Sequence, residues 1–256
     1  MNESNPTGPL IPPQIPTPPS PGHRTDRPLG ELPDERETIP NAVAAIEAIL
    51  RQPRRVMYQL RQPGAGGLIA GMLFVAVLCS VVYGVVVGTF SGGVQLWAAP
   101  IKTAGGLLIS ALICLPSLYI FACLSGSQAR LVEILGLVAG LMALMTILLI
   151  GFAPVAWLFS QSTNSLAWMG TLHLIFWGIA TVFGLRFLNA DFSHTQARSN
   201  AGLNTWTAIF VLVVLQMTTA LRPIVGTADT LLPEEKKFFA SHWVECLKLP
   251  KPAARD

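Results

Sequence analysis

Of 256 residues, 52% are apolar and only 12% are charged, about half the usual charged share. Such a chain cannot clothe a soluble globule, and its net charge of +3 gives no reason to expect a nucleic-acid partner. The distribution of charge says more than its average. No Asp, Glu, Lys or Arg lies between Arg61 and Lys102, between Lys102 and Arg130, between Glu133 and Arg186, or between Arg198 and Arg222. A bilayer core takes roughly 20 apolar helical residues, so these gaps predict an all-α fold: a polytopic membrane helical bundle with about five transmembrane helices.

Residues 1–40 hold eleven prolines, including Pro12-Pro13 and Pro18-Pro19. Proline removes backbone donors and disfavours helix in the residue before it, so this stretch is expected to be a disordered, proline-rich tail. Pro9–Pro12 and Pro13–Pro16 fit PxxP, the pattern of polyproline-recognising partners, although a solvated tether explains the same composition. No apolar core of signal-peptide kind occurs here, and no cleavable leader is expected.

Residues 41–62 change character. Asn41 can cap a helix, Val43, Ile46, Ile49 and Leu50 recur at helical spacing, and Val56, Met57 and Leu60 continue the stripe beyond Pro53. Arg51, Arg54, Arg55 and Arg61 form the opposite face. A basic amphipathic helix ahead of a span is expected to lie among lipid headgroups, with those four arginines contacting anionic lipid. The alternative is packing onto the end of the bundle.

The expected spans are about 68–90, 103–124, 131–159, 166–188 and 205–225. The segment Ser91–Ile101, with Gly92, Gly93, Trp97 and Pro100, reads as an interfacial turn or short helix. Pro116 lies inside the second span, and Pro154 in the long third one predicts tilt or a kink. With the N-terminus cytoplasmic, seven arginines near span ends face that side (51, 54, 55, 61, 130, 186, 198). Lys102, Arg222, Lys236 and Lys237 face the other. That bias and five spans place the C-terminus outside. In the tail, Pro233 and the two glutamates after it can open an amphipathic helix of about 233–247, whose Phe239 and Trp243 would anchor it to the membrane or to a partner.

Chemistry-bearing motifs are sparse. Cys79, Cys114, Cys123 and Cys246 form no metal pattern. His173, the only histidine within a span, and Gln216 are the intramembrane polar candidates. A lone histidine excludes bis-histidine haem ligation within the chain and lacks companions for zinc, and it can equally serve as a hydrogen-bonding group between helices. Ser125-Gly126 is the nearest approach to a glycine-framed nucleophile, and nothing places a base beside it. Gly67–Gly71, Gly84–Gly88 and Gly136–Gly140 match GxxxG, which permits close backbone approach within a bundle or between copies. Spans almost free of ionisable groups disfavour proton-coupled transport. No catalytic, cofactor-binding or metal site is expected.

The stretch Ile46-Glu47-Ala48-Ile49-Leu50-Arg51-Gln52-Pro53-Arg54-Arg55-Val56-Met57, followed by five spans, resembles the Yip1 family of multispan membrane proteins. In the bacterial branch of that family a short helix of the form I-x-x-I-L-x-x-P precedes the first span. The resemblance covers about residues 43–225 and is architectural. It implies a scaffold or adaptor that works through protein partners rather than an enzyme; together with the arginines expected to contact membrane lipid, the expected setting is a bacterial inner membrane. A small-solute channel or transporter is the alternative reading.

Overall fold

The computed structural model describes residues 28–127, 129–162, 166–194 and 201–220. They form eight helices and, among the described residues, no strand: α1 (Pro33–Arg36), α2 (Ala42–Arg51), α3 (Pro53–Leu60), α4 (Gly66–Ser91), α5 (Gln95–Leu124), α6 (Leu131–Ser162), α7 (Leu166–His194) and α8 (Ala201–Ala220). The fold is an all-α polytopic membrane bundle. Four helices are long and apolar enough to cross a bilayer: Gly66–Phe90, Gln95–Leu124, Leu131–Ser162 and Trp168–Ala190. The fifth, α8, carries a shorter apolar stretch at Gly202–Met217. Residues 221–256 lie outside the described set, and with them the end of the expected fifth span, the 233–247 helix, Phe239 and Trp243.

The spans alternate in direction, which the close contacts fix. Gly84 and Gly88, near the end of α4, meet the start of α5 at Pro100 and Gln95, while Gly202 at the start of α8 meets Ser125 at the end of α5. At the opposite end from the α4–α5 turn, Gly136 of α6 meets Leu60 of α3, and Gly140 meets Phe187 of α7 and Ile49 of α2. Helix α6 is the post of the bundle: Leu137, Leu141, Met145 and Leu149 are buried along its length. Helix α4 packs against α6 and α5, α7 against α6, and α8 chiefly against α5. Trp206 of α8 fastens that last pair, donating its indole N–H to the Cys114 carbonyl at 2.9 Å.

The exposed tryptophans gather at the α4–α5 turn end: Trp97 on α5, Trp157 on α6, with Phe159 nearby, and Trp168 on α7. Amphipathic rings favour the membrane–water boundary, so this belt marks one interface. The other end carries Arg130 and Arg186, both exposed, and the short helices α1–α3. At roughly 1.5 Å per residue, α6 is about 48 Å long, well beyond the ~30 Å hydrocarbon core. It therefore tilts or projects into the headgroup regions.

Several boundaries differ from the sequence reading, among them α7, which reaches His194 rather than 188, and α8, which starts at Ala201 rather than 205. Helix α5 starts at Gln95, several residues early, so Ser91–Ile101 is not a separate interfacial element. The turn shrinks to residues 92–94, with Gly92 and Gly93 at positive φ (64° and 55°), a conformation costly for other residues. Pro100 is tolerated inside α5, and its backbone forms part of the close seat for Gly84. Lys102, read as a boundary charge, is buried within α5 and has an interaction partner. Finally, residues 28–40 are not an unstructured continuation of the tail: they include α1 and dock on α3.

Candidate functional site

Two polar constructions stand out, one at each half of the bundle. The first is a strap, residues 28–40, laid over α3. Its apolar ends, Leu29 and Ile39, pack on the core, and its acidic middle meets arginine. The buried carboxylate of Glu35 accepts from the Arg54 guanidinium through one oxygen and from the Gly30 amide through the other. The side chains of this pair are only 14% (Arg54) and 5% (Glu35) exposed. Arg54 also donates to the Pro28 carbonyl at 3.2 Å.

Arg55 donates to the carbonyls of Glu37 (3.0 Å) and Thr38 (2.9 Å) and lies 3.3 Å from the Glu37 carboxylate. Gln59 donates to the carbonyls of Arg36 and Glu37. Gly30 turns the strap at φ 89°, and the Tyr58 ring stands where a Cβ would project, so only glycine fits both demands. Proline composition gave no warning of this docking, because α1 uses Pro33 where it suits a helix, at the start.

The four arginines of the sequence reading are thus placed differently. Arg54 and Arg55 serve the strap. Arg51 pairs with Glu47 one turn back, at 3.3 Å, both side chains exposed. Arg61 is half-buried at the end of α3 and is also engaged. The apolar faces of α2 and α3, with Ala45, Ile49, Val56, Met57 and Leu60 buried, rest on α4, α6 and α7. This is the packing alternative: the two helices form a platform on the bundle end. Beside the strap lies a groove of about 350 Å³, edged by Thr38, Asn41, Gln59 and Gln62 and floored by Gly67 and Gly71. Those two glycines approach nothing within 4 Å, unlike the other GxxxG pairs.

The second construction is inside the membrane half nearer the aromatic belt. His173 of α7 is buried, and its Nδ1 shares a 2.7 Å hydrogen bond with the hydroxyl of Tyr83 on α4. Their rings meet edge to face at 5.7 Å. With the phenol donating, the ring proton sits on Nε2, which finds no partner among the described residues; the same holds for Oε1 of buried Gln95. Gln216 lies on α8, half-buried and with an interaction partner.

Sequence reading singled out His173 and missed Tyr83. The available signal was a phenolic hydroxyl inside a span, which needs a partner when buried. Tyr83→Phe should strip Nδ1 of its partner and cost about 1–3 kcal/mol, the penalty for an unsatisfied buried group. Thermal unfolding in detergent measures it, and the double change with His173→Phe should cost less than the sum.

No protein-family model matches the sequence, and no curated protein or solved structure is significantly similar to it. What fold and site define is therefore a class: a polytopic α-helical membrane protein, capped at one end by an amphipathic platform with an ion-paired strap.

Proposed function

We propose that the chain is a structural, adaptor or assembly component of a membrane, without catalytic activity, that presents its proline-rich amino-terminal segment from a fixed point on the bundle. One observation carries this reading: the Glu35–Arg54 clasp pins the strap to α3. The Pro28 carbonyl is held by Arg54, so the chain is attached to the platform up to its residue 28. Such anchoring lowers the entropy cost of presenting a binding segment. The arginines at the platform end favour that end as cytoplasmic, and the architectural likeness to the Yip1 family favours a bacterial inner membrane and protein partners.

The test is purification in mild detergent together with native neighbours, followed by mass spectrometry. The full chain should bring down a stoichiometric protein, and deletion of residues 1–27 should lose it. Recovery of the same partner by both forms would shift the binding to the body of the protein, and recovery of none would sink the adaptor reading. The second reading, a small-solute channel or transporter, draws on the buried Tyr83–His173 pair, whose Nε2 has no partner among the described residues. Solute flux through reconstituted vesicles that falls in Tyr83→Phe would favour it.

A further inference from the structure

Helix α3 opens in an electrostatically awkward way. Its first turn holds Pro53, Arg54 and Arg55, contains no acid, and receives no side-chain cap from Gln52. The N-terminal end of a helix is itself partly positive, so two guanidiniums beside it create a locus that calls for an anion. The strap supplies one. Residues 28–40 carry Glu31, Asp34, Glu35 and Glu37 against a single Arg36, and Arg36 donates to the Gly30 carbonyl at 2.7 Å.

What the strap presents to Arg54 and Arg55 is a set of oxygen acceptors: the Glu35 and Glu37 carboxylates and the carbonyls of Pro28, Glu37 and Thr38. A phosphodiester offers acceptor oxygens of the same kind, which arginine forks recognise. Only residues 61–65 separate α3 from the first span, so α3 lies beside the membrane boundary.

We propose that Arg54 and Arg55 form a binding surface for the headgroup of an anionic phospholipid, and that the acidic strap is an internal competitor covering it. Strap docked and lipid bound are mutually exclusive states. A lipid-bound platform releases residues 28–40.

The test uses the full-length protein in detergent, titrated with phosphatidylglycerol or phosphatidylcholine and read by native mass spectrometry. Glu35→Gln with Glu37→Gln should raise phosphatidylglycerol retention roughly thirtyfold over wild type, from about 1 kcal/mol for each of the two arginines near an anionic surface at about 1.4 kcal/mol per factor of ten. Phosphatidylcholine retention should stay unchanged. Deletion of residues 1–40 removes the competitor outright and should give the same gain. Adding Arg54→Gln and Arg55→Gln should return retention to the wild-type level.

Inorganic phosphate at matched ionic strength should leave the lipid bound; displacement by it would assign the site to free phosphate and overturn the lipid proposal. The proposal is equally overturned if neither the glutamine variant nor the deletion gains lipid. It also fails if the gain is equal for phosphatidylcholine, or survives loss of both arginines. Partner capture by residues 1–27 is a separate measurement, so failure of either leaves the other standing.

Discussion

Replacing Glu35 with alanine should release residues 28–40 from α3 while the transmembrane bundle stays folded. The carboxylate is buried and serves two donors at once, the Arg54 guanidinium and the Gly30 amide. Its removal leaves a largely covered guanidinium without its counter-charge, a loss of about 3 kcal/mol for a buried pair. That is comparable to what so short a segment can gain from docking. The remaining anchors, Leu29, Ile39 and the carbonyls held by Arg55 and Gln59, are individually modest.

Hydrogen exchange should therefore show the amides of Gly30 and Glu35 losing protection by roughly a hundredfold, at about 1.4 kcal/mol per factor of ten. Amides in α4 and α6 should keep theirs. Unchanged exchange at Gly30 would mean that the ion pair contributes nothing to docking. Loss of protection throughout the bundle would mean that the strap is part of the core.

Gly84→Val should destabilise the bundle itself. A Cβ at Gly84 would stand 2.5 Å from the Pro100 Cα, 2.9 Å from its nitrogen and 3.1 Å from the Ala99 oxygen. All three are backbone atoms, so no rotamer change relieves the clash, and α4 must separate from α5. Overpacking of this kind costs about 1–3 kcal/mol, and separation also forfeits the dispersion contact that holds helices together in lipid. Gly88→Ala should act likewise, since its Cβ would meet the Gln95 oxygen at 2.7 Å.

Gly71→Ala, where nothing lies within 4 Å, is the control and should be silent. Reaction of buried Cys114 with a thiol dye during heating reads all three variants. Equal melting of Gly84→Val and Gly71→Ala would mean that α4 and α5 do not approach at this point.

The bundle was legible in the sequence because its signal is local. Charge-free runs of span length are visible residue by residue, and a bilayer leaves few structures for them to adopt. What stayed hidden is non-local. Arg54 and Glu35 are 19 positions apart and Tyr83 and His173 are 90 apart, and no periodicity links such partners. Composition misled at the strap, where prolines and acids together imitate disorder although the acids have arginines to meet. Proline misled again at α5, where Pro100 suggested a break but lies within the helix, beside a glycine that lets another backbone approach. The three GxxxG matches looked alike in sequence. Only the structure separates a helix–helix seat (84 and 88), a seat for side chains of three elements (136 and 140) and an open groove floor (67 and 71).

The platform has a consequence for the order in which the molecule is made. Leu60 rests where Gly136 leaves room, and Ile49 and Phe187 meet around Gly140, so α2 and α3 have no complete seat until α6 and α7 are in place. Chains emerge amino-terminus first, at about 5–20 residues per second. Helices α2 and α3 therefore settle only after α6 and α7 have been made. For some seconds of biogenesis the platform faces lipid or chaperone with its apolar side uncovered, while the α4–α5 hairpin waits for its post.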